Sequence, residues 1–274
     1  MTACTPDVLN RHTVSRMIKR LREFLPELVA LPLLPVLILQ GRRTRRSVPR
    51  LPEPTGKPSG QIPGGDGEPV KLVVIGESPV AGIGVATYQQ SLAAMMARDL
   101  GRRSGRTVEW SAWGRNGATV ADAIRDLLPL LPAQAVDIAC IAFGVNDCTA
   151  FRRGHEWHSD MMRMLELIEQ RISPRHIVLS GVPPLANFPA LPWPLRAVLG
   201  LKASALDTAL ARIAAARPDT SHAPLPTALA DSSLMASDGY HPSPAGCELW
   251  AEILVQACPR PDLAADIGLD QGQH

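Results

Sequence analysis

Along most of the chain, short apolar runs alternate with longer stretches in which apolar side chains return every three or four positions. The first pattern predicts strands and the second predicts helices with one buried face. Strands are expected at 71–75, 107–113, 136–143 and 175–180, and helices at 87–100, 119–130, 156–172, 197–215 and 244–257. Apolar strands separated by helices imply a parallel sheet covered on both faces. The expected architecture is therefore a three-layer α/β/α sandwich spanning about 70–260.

The first 46 residues follow a different pattern. Val14, Met17, Ile18, Leu21, Phe24 and Leu25 recur at helical spacing, and Arg11, Arg16, Lys19, Arg20 and Arg22 fill the polar positions between them. Residues 28–39 carry no polar side chain, and Arg42, Arg43, Arg45 and Arg46 follow. Twelve such residues are fewer than the roughly 20 that span a bilayer as a helix, and Pro32 and Pro35 are expected to interrupt them. An interfacial anchor flanked by cations fits this stretch better than a full span. No small-x-small cleavage site of a signal peptide follows it. The expectation is a possible membrane surface as partner through residues 10–46, the side of the membrane being open; packing on the catalytic domain is the other option.

Residues 47–69 contain 6 Pro and 5 Gly in 23 positions, a composition that builds no core and reads as a linker. The last segment, 261–274, reads as a flexible tail.

Composition narrows the function classes. With 46% apolar residues the chain can bury a sizeable core. A net charge of +2 and 4% aromatic residues argue against nucleic-acid binding. The basic excess belongs to residues 1–70, which carry a net of +5, while the remainder carries a net of −3. Five cysteines, at 4, 140, 148, 247 and 258, form no CxxC pair, which argues against a disulfide scaffold or a structural zinc site.

The candidate chemistry lies where the predicted strands end. In an open parallel sheet, ligands bind outside the carboxyl ends of the strands. Ser78 follows the first predicted strand, Asn116-Gly117 the second, and Gly144-Val145-Asn146-Asp147 the third. Asp238 and His241 lie in the last connection, before the final helix. A serine hydroxyl becomes a useful nucleophile only when a base takes its proton and donors hold the oxyanion it creates. His241 suits the base, and Asp238, three residues earlier, suits the group that orients the imidazole. The Ser78 and Gly117 N–H groups and the Asn146 amide suit the oxyanion hole, and glycine at 117 permits close approach of backbone to ligand.

These blocks, in this order, resemble the SGNH (GDSL-type) hydrolase superfamily over about 71–257. Gly76-Glu77-Ser78 with Gly82 looks like the family's Gly-Asp-Ser block, Gly144-Val145-Asn146-Asp147 like its Gly-x-Asn-Asp, and Asp238-Gly239-Tyr240-His241 like its Asp-x-x-His. Asn116-Gly117 matches the glycine block less specifically. The resemblance implies a flavodoxin-like layered fold and a serine esterase acting through an acyl-enzyme, with no cofactor and no metal. Glu77 departs from the family's usual Asp and is one methylene longer, which bears on the aim of Ser78.

Ser78 alone could cap a turn, and Asp238 with His241 could be an ordinary turn pair; four such coincidences at one sheet edge are the weaker account. His155 and His158 are three apart rather than four and sit at a helix start, so they do not make a zinc-protease pattern. Gly82-Ile83-Gly84 lacks the third glycine of a dinucleotide site, and no Gly-x-Ser-x-Gly elbow occurs. In the proline-rich loop at 183–194, Leu185, Phe188, Leu191 and Trp193 are expected to line an acyl-chain site. The partner is thus a small-molecule or lipid acyl ester. Acyl transfer and saccharide deacetylation use the same residues, and a catalytically weak acyl-lipid or protein-binding domain is the rival of another class.

Overall fold

The computed structural model describes residues 6–259, with side chains from residue 25 onward. The segment 261–274, and the side chains of Val14 to Phe24 that carry the basic amphipathic pattern, lie outside the described residues.

Six strands form one sheet: β1 (Ser59–Ile62), β2 (Gly65–Gly76), β3 (Arg106–Gly114), β4 (Ile138–Ala142), β5 (His176–Ser180) and β6 (Thr220–Ala223). Their spatial order is β1-β3-β2-β4-β5-β6. All neighbours pair in parallel except β1 with β3. The parallel strands are buried on both faces, as the unbroken burial of Ile138–Ala142 shows. Alternate side chains serve opposite layers. Val73, Ile75, Ala139 and Ile141 pack with α3 (Val120–Asp126), α5 (Gly154–Ile172) and α6 (Leu195–Ala215). Leu72, Val74, Cys140 and Val178 pack instead with α2 (Leu92–Ser104) and α7 (Pro244–Gln256). The three-layer α/β/α sandwich is present.

Local chemistry fixes the helix ends. Thr119 and Asp122 form a reciprocal capping box at the start of α3. Ser243 caps α7, whose first residue is Pro244, and Gly105 closes α2 in the left-handed region at φ 66°.

Three features differ from the sequence expectations. The Pro/Gly-rich segment is not a free tether, because β1 within it pairs with β3 and Thr55 bridges to Thr87. Its composition suits an edge strand: four residues, flanked by Pro58 and Pro63, with Gly60 lying against Trp110. The edge strand β6 was also not anticipated, since Thr220-Ser221-His222-Ala223 lacks an apolar run. Finally, α1 (Pro6–Ser47) continues through Pro26, Pro32 and Pro35. Proline's fixed φ suits a helix, and its penalty is local: one lost hydrogen bond and a ring crowding the carbonyl four residues back. Here tertiary packing offsets that penalty, because α1 lies along α6 with Ala30 and Leu37 buried.

Candidate active site

The site is built at the carboxyl ends of β2, β3 and β4 and in the connection before α7. Strand β2 ends on Gly76, where a Cβ would come within 2.5–2.6 Å of Val80 and the Ala142 carbonyl. Only glycine lets the backbone pass that closely, and two residues later the chain places Ser78, itself buried, at the end of the strand. The loop then runs to Gly84, at φ 107°, whose missing side chain makes room for the Pro242 carbonyl and the His241 Cβ. The nucleophile loop and the histidine loop are thereby packed against each other.

Across that contact the Ser78 hydroxyl lies 3.0 Å from His241 Nε2. His241 Nδ1 is 2.6 Å from Asp238 Oδ2. The second carboxylate oxygen, Asp238 Oδ1, accepts from the backbone N–H groups of Tyr240 and His241 at 2.9 and 3.0 Å. Burial pushes the Asp238 carboxyl up, but the hydrogen bonds from the His241 side chain and these two N–H groups more than offset it. It therefore stays below the usual carboxylate range and is an acceptor only. An acceptor at that position requires the proton on Nδ1, which leaves the Nε2 lone pair facing Ser78.

The oxyanion candidates lie in the connections that follow β3 and β4. Gly117 is exposed in the turn after β3 at φ 80°, a conformation that favours glycine. Asn146 is in α4 (Val145–Thr149), and its Nδ2 donates to the Ala118 carbonyl at 3.1 Å, joining the two loops.

Two buried carboxylates that were given no role from sequence hold α4 in place. Glu77, beside the nucleophile, accepts from Val145 N–H at 3.0 Å and from Asn146 N–H at 2.9 Å, one bond to each carboxylate oxygen. These are unpaired donors of the first helical turn. The extra methylene of Glu77 thus reaches the helix that carries Asn146. Burial above all raises Glu77 to about 8, against the pull of those N–H groups and with help from Asp147. Asp147 itself is fully buried and accepts from Val120 N–H at 3.2 Å, tying α4 to the start of α3. Burial raises it to about 6. The signal for both was present in the sequence, as acidic residues flanking Ser78 and Asn146 in otherwise apolar surroundings.

A cleft opens beside Ser78 and His241, with apolar walls from Val145, Pro183, Phe188, Leu229, Met235 and Tyr240. Tyr240 packs edge-on between Phe188 and His241, with ring centroids 5.5 and 5.3 Å away. Of the loop residues anticipated as an acyl wall, Phe188 lines this cleft. Leu185 and Leu191 are buried in the core beneath it, and Trp193 is 72% exposed beside α1. Tyr240, Met235 and Leu229 carried no periodic signal, because they lie in irregular connections. Among the described residues no group of three or more His, Cys, Asp or Glu could hold a metal ion. His155 lies in the first turn of α5 and His158 in the second.

The motif blocks and the fold both match known proteins. A curated GDSL-like esterase of Mycobacterium tuberculosis is 28% identical over 197 residues, covering 69% of this chain and 61% of that protein. The chain thus spans about three fifths of that relative's length. A lipolytic protein of the G-D-S-L family from Veillonella parvula superposes with a TM-score of 0.54 at 14% identity, over 68% of this chain and 97% of the other. A carbohydrate esterase family 2 enzyme from Corynascus thermopiles gives 0.54 at 17% identity, over 76% and 69%. At these identities the two structures establish the fold. The model of the GDSL-like lipase/acylhydrolase family matches residues 74–249, which run from β2 into α7 and take in every block named above. On that match, the chain belongs to the GDSL-like lipase/acylhydrolase family.

Proposed function

We propose that the protein is a serine esterase that hydrolyses carboxylic esters through an acyl-enzyme on Ser78. The observation that carries this reading is the line Ser78–His241–Asp238, at 3.0 and 2.6 Å. Ser78 Oγ attacks the acyl carbon while its proton passes to His241 Nε2. The tetrahedral oxyanion is held by the Ser78 and Gly117 N–H groups and the Asn146 amide, a single such donor being worth about 3–4 kcal/mol of barrier. Collapse breaks the bond to the alcohol oxygen, which takes the proton from His241. Water then enters and repeats the sequence on the acyl-enzyme, restoring Ser78. Asp238 keeps Nδ1 protonated throughout and stabilises the imidazolium.

The apolar cleft beside Ser78 favours an acyl group of low polarity over a sugar hydroxyl array, which would leave its polar groups unpaired there. Association with a membrane is part of the same reading. The segment Leu25–Ser47 is apolar and long enough to cross a bilayer by length and composition, and its exposed leucines support contact with lipid. The reading is tested by turnover of p-nitrophenyl acetate by the full chain. We expect activity that Ser78→Ala abolishes while thermal melting is retained; undiminished turnover in that variant sinks the proposal.

A further inference from the structure

The helix α1 is inside out with respect to polarity. Between residues 25 and 40 it has two polar side chains, Glu27 and Gln40, and both are turned into the protein. Glu27 pairs with Lys202 of α6, an ammonium only 1% exposed. The Gln40 amide brackets the end of the proline-rich loop, donating to the Trp193 carbonyl at 2.8 Å and accepting from Leu195 N–H at 3.1 Å. Ala30 and Leu37 complete this inner side.

The opposite side shows the reverse. Leu28, Leu31, Pro35 and Leu39 form an exposed row at spacings of three and four, which places them on one face. Leu31 and Leu39 are 71% and 69% exposed. The same row continues into the exposed Arg42 and Arg46. Leu34, Val36 and Ile38 widen the apolar strip, and Trp193, held by Gln40, stands next to it. Nearly all the large exposed apolar side chains of the described residues gather here, and single-face gathering of this kind marks an interaction surface.

We infer that this face is a built-in docking surface for a bilayer bearing anionic headgroups, with α1 lying flat on the membrane rather than crossing it. The inference rests on the membrane part of the function proposed above and says how that contact is made. The occupant follows from charge: an apolar strip that ends in guanidinium groups fits hydrocarbon bordered by acidic headgroups, with an interfacial tryptophan alongside. A second copy of the chain would bring the same arginines. Crossing is disfavoured because the catalytic domain occupies the inner side of α1 from Glu27 to Gln40, about 20 Å of helix at 1.5 Å per residue. A helix crossing the bilayer would drag that domain into hydrocarbon or leave Lys202 buried without its partner. The geometry also ties the surface to the cleft. Gln40 of α1 holds the Trp193 carbonyl and the Leu195 N–H at the end of the loop that supplies Phe188, and Phe188 lines the cleft. An ester in the leaflet that faces α1 would thus meet the site without the protein letting go.

The test is flotation of the purified full chain with preformed vesicles of phosphatidylcholine and phosphatidylglycerol at about 3:1, and of phosphatidylcholine alone. We expect binding to the mixed vesicles that is several-fold weaker on the neutral ones. Leu31→Glu with Leu39→Glu should lower the bound fraction at least about tenfold, and Arg42→Gln with Arg46→Gln should remove the preference for the acidic lipid. Both pairs are exposed and outside the catalytic machinery, so p-nitrophenyl acetate turnover and melting should stay unchanged. No flotation, or flotation that the glutamate pair leaves intact, overturns the surface. So does a dimer in light scattering that the glutamate pair dissociates, which would give the face to a second copy. Protein that resists alkaline carbonate washing overturns the flat orientation. Vesicle binding without any ester turnover upholds the surface and overturns the catalytic reading.

Discussion

Polar groups are buried in two regions of this molecule, and they are held there by different means. At the catalytic edge, Glu77, Asp147 and Asp238 each accept backbone N–H groups, and Ser78 and Asp238 meet through His241. Between α1 and α6, Lys202 donates to one side chain, Glu27, a contact made by neither partner's backbone. Backbone donors are fixed by the fold, so the first region is rigid wherever its loops are formed. The second depends on a contact between two helices and fails if that contact is lost. The contrast separates groups fixed by backbone N–H donors from a pair fixed only by a contact between two helices.

The largest effect that would sharpen this contrast is at Asp238. Asp238→Asn should reduce kcat about 10³- to 10⁴-fold with little change in KM, because the amide no longer requires the proton on Nδ1. A drop below tenfold, read from steady-state ester kinetics, would break the assignment of Asp238 as orienter.

A smaller effect, on stability rather than rate, is expected at Lys202. Lys202→Ala leaves Glu27 without its partner and a gap under α1, and should cost about 3 kcal/mol in urea denaturation. Lys202→Met combined with Glu27→Leu should recover most of it, since an apolar pair of similar volume needs no desolvation. If the double variant is as unstable as Lys202→Ala, the pair does more than specify docking. Deleting α1 is accordingly predicted to destabilise the domain as well as to release it from membranes.

The smallest effect is in the pH dependence of stability. Glu77 and Asp147 are raised to about 8 and about 6, above the roughly 4 of an unfolded carboxyl. Between those values the folded protein holds protons that the unfolded chain has released. Their contribution is therefore full below about pH 4 and is lost as pH rises through 6 and then 8. Asp238 and Asp122 are lowered, so their contributions change only in acid. His176, lowered by burial, adds an opposite slope only below its ordinary 6.5 and leaves the upper half of this window clear. Tm should fall by a few degrees from pH 5 to 9, and Glu77→Gln should flatten the upper half of that slope. A slope unchanged in the variant would show that Glu77 is ionised throughout.

The central strands, their helices and the serine, histidine and aspartate were legible in sequence because each rests on local pattern. The apolar run that makes β2 also ends on the glycine that aims Ser78, so element and site are read together. The strand β1 was not legible, because edge pairing needs backbone groups rather than apolar side chains. The course of α1 through its prolines was missed for a related reason, since what holds it is tertiary. Nothing in the local sequence of α6 marks Lys202; only a partner 175 residues away explains its burial. An acidic residue beside Ser78 in apolar surroundings marks Glu77 in the sequence, but its grip on α4 spans 68 residues and its partner there has no local signal. Trp193 shows the opposite error, an apolar loop residue that lies out at the surface beside α1.

The account stands on Ser78 being an activated nucleophile. The most direct measurement is the mass of the intact protein after exposure to a fluorophosphonate, followed by peptide mapping. The account predicts a single phosphonyl adduct on the peptide containing Ser78, absent in Ser78→Ala and strongly slowed in His241→Ala. An unmodified protein, or an adduct on any other residue, would contradict it.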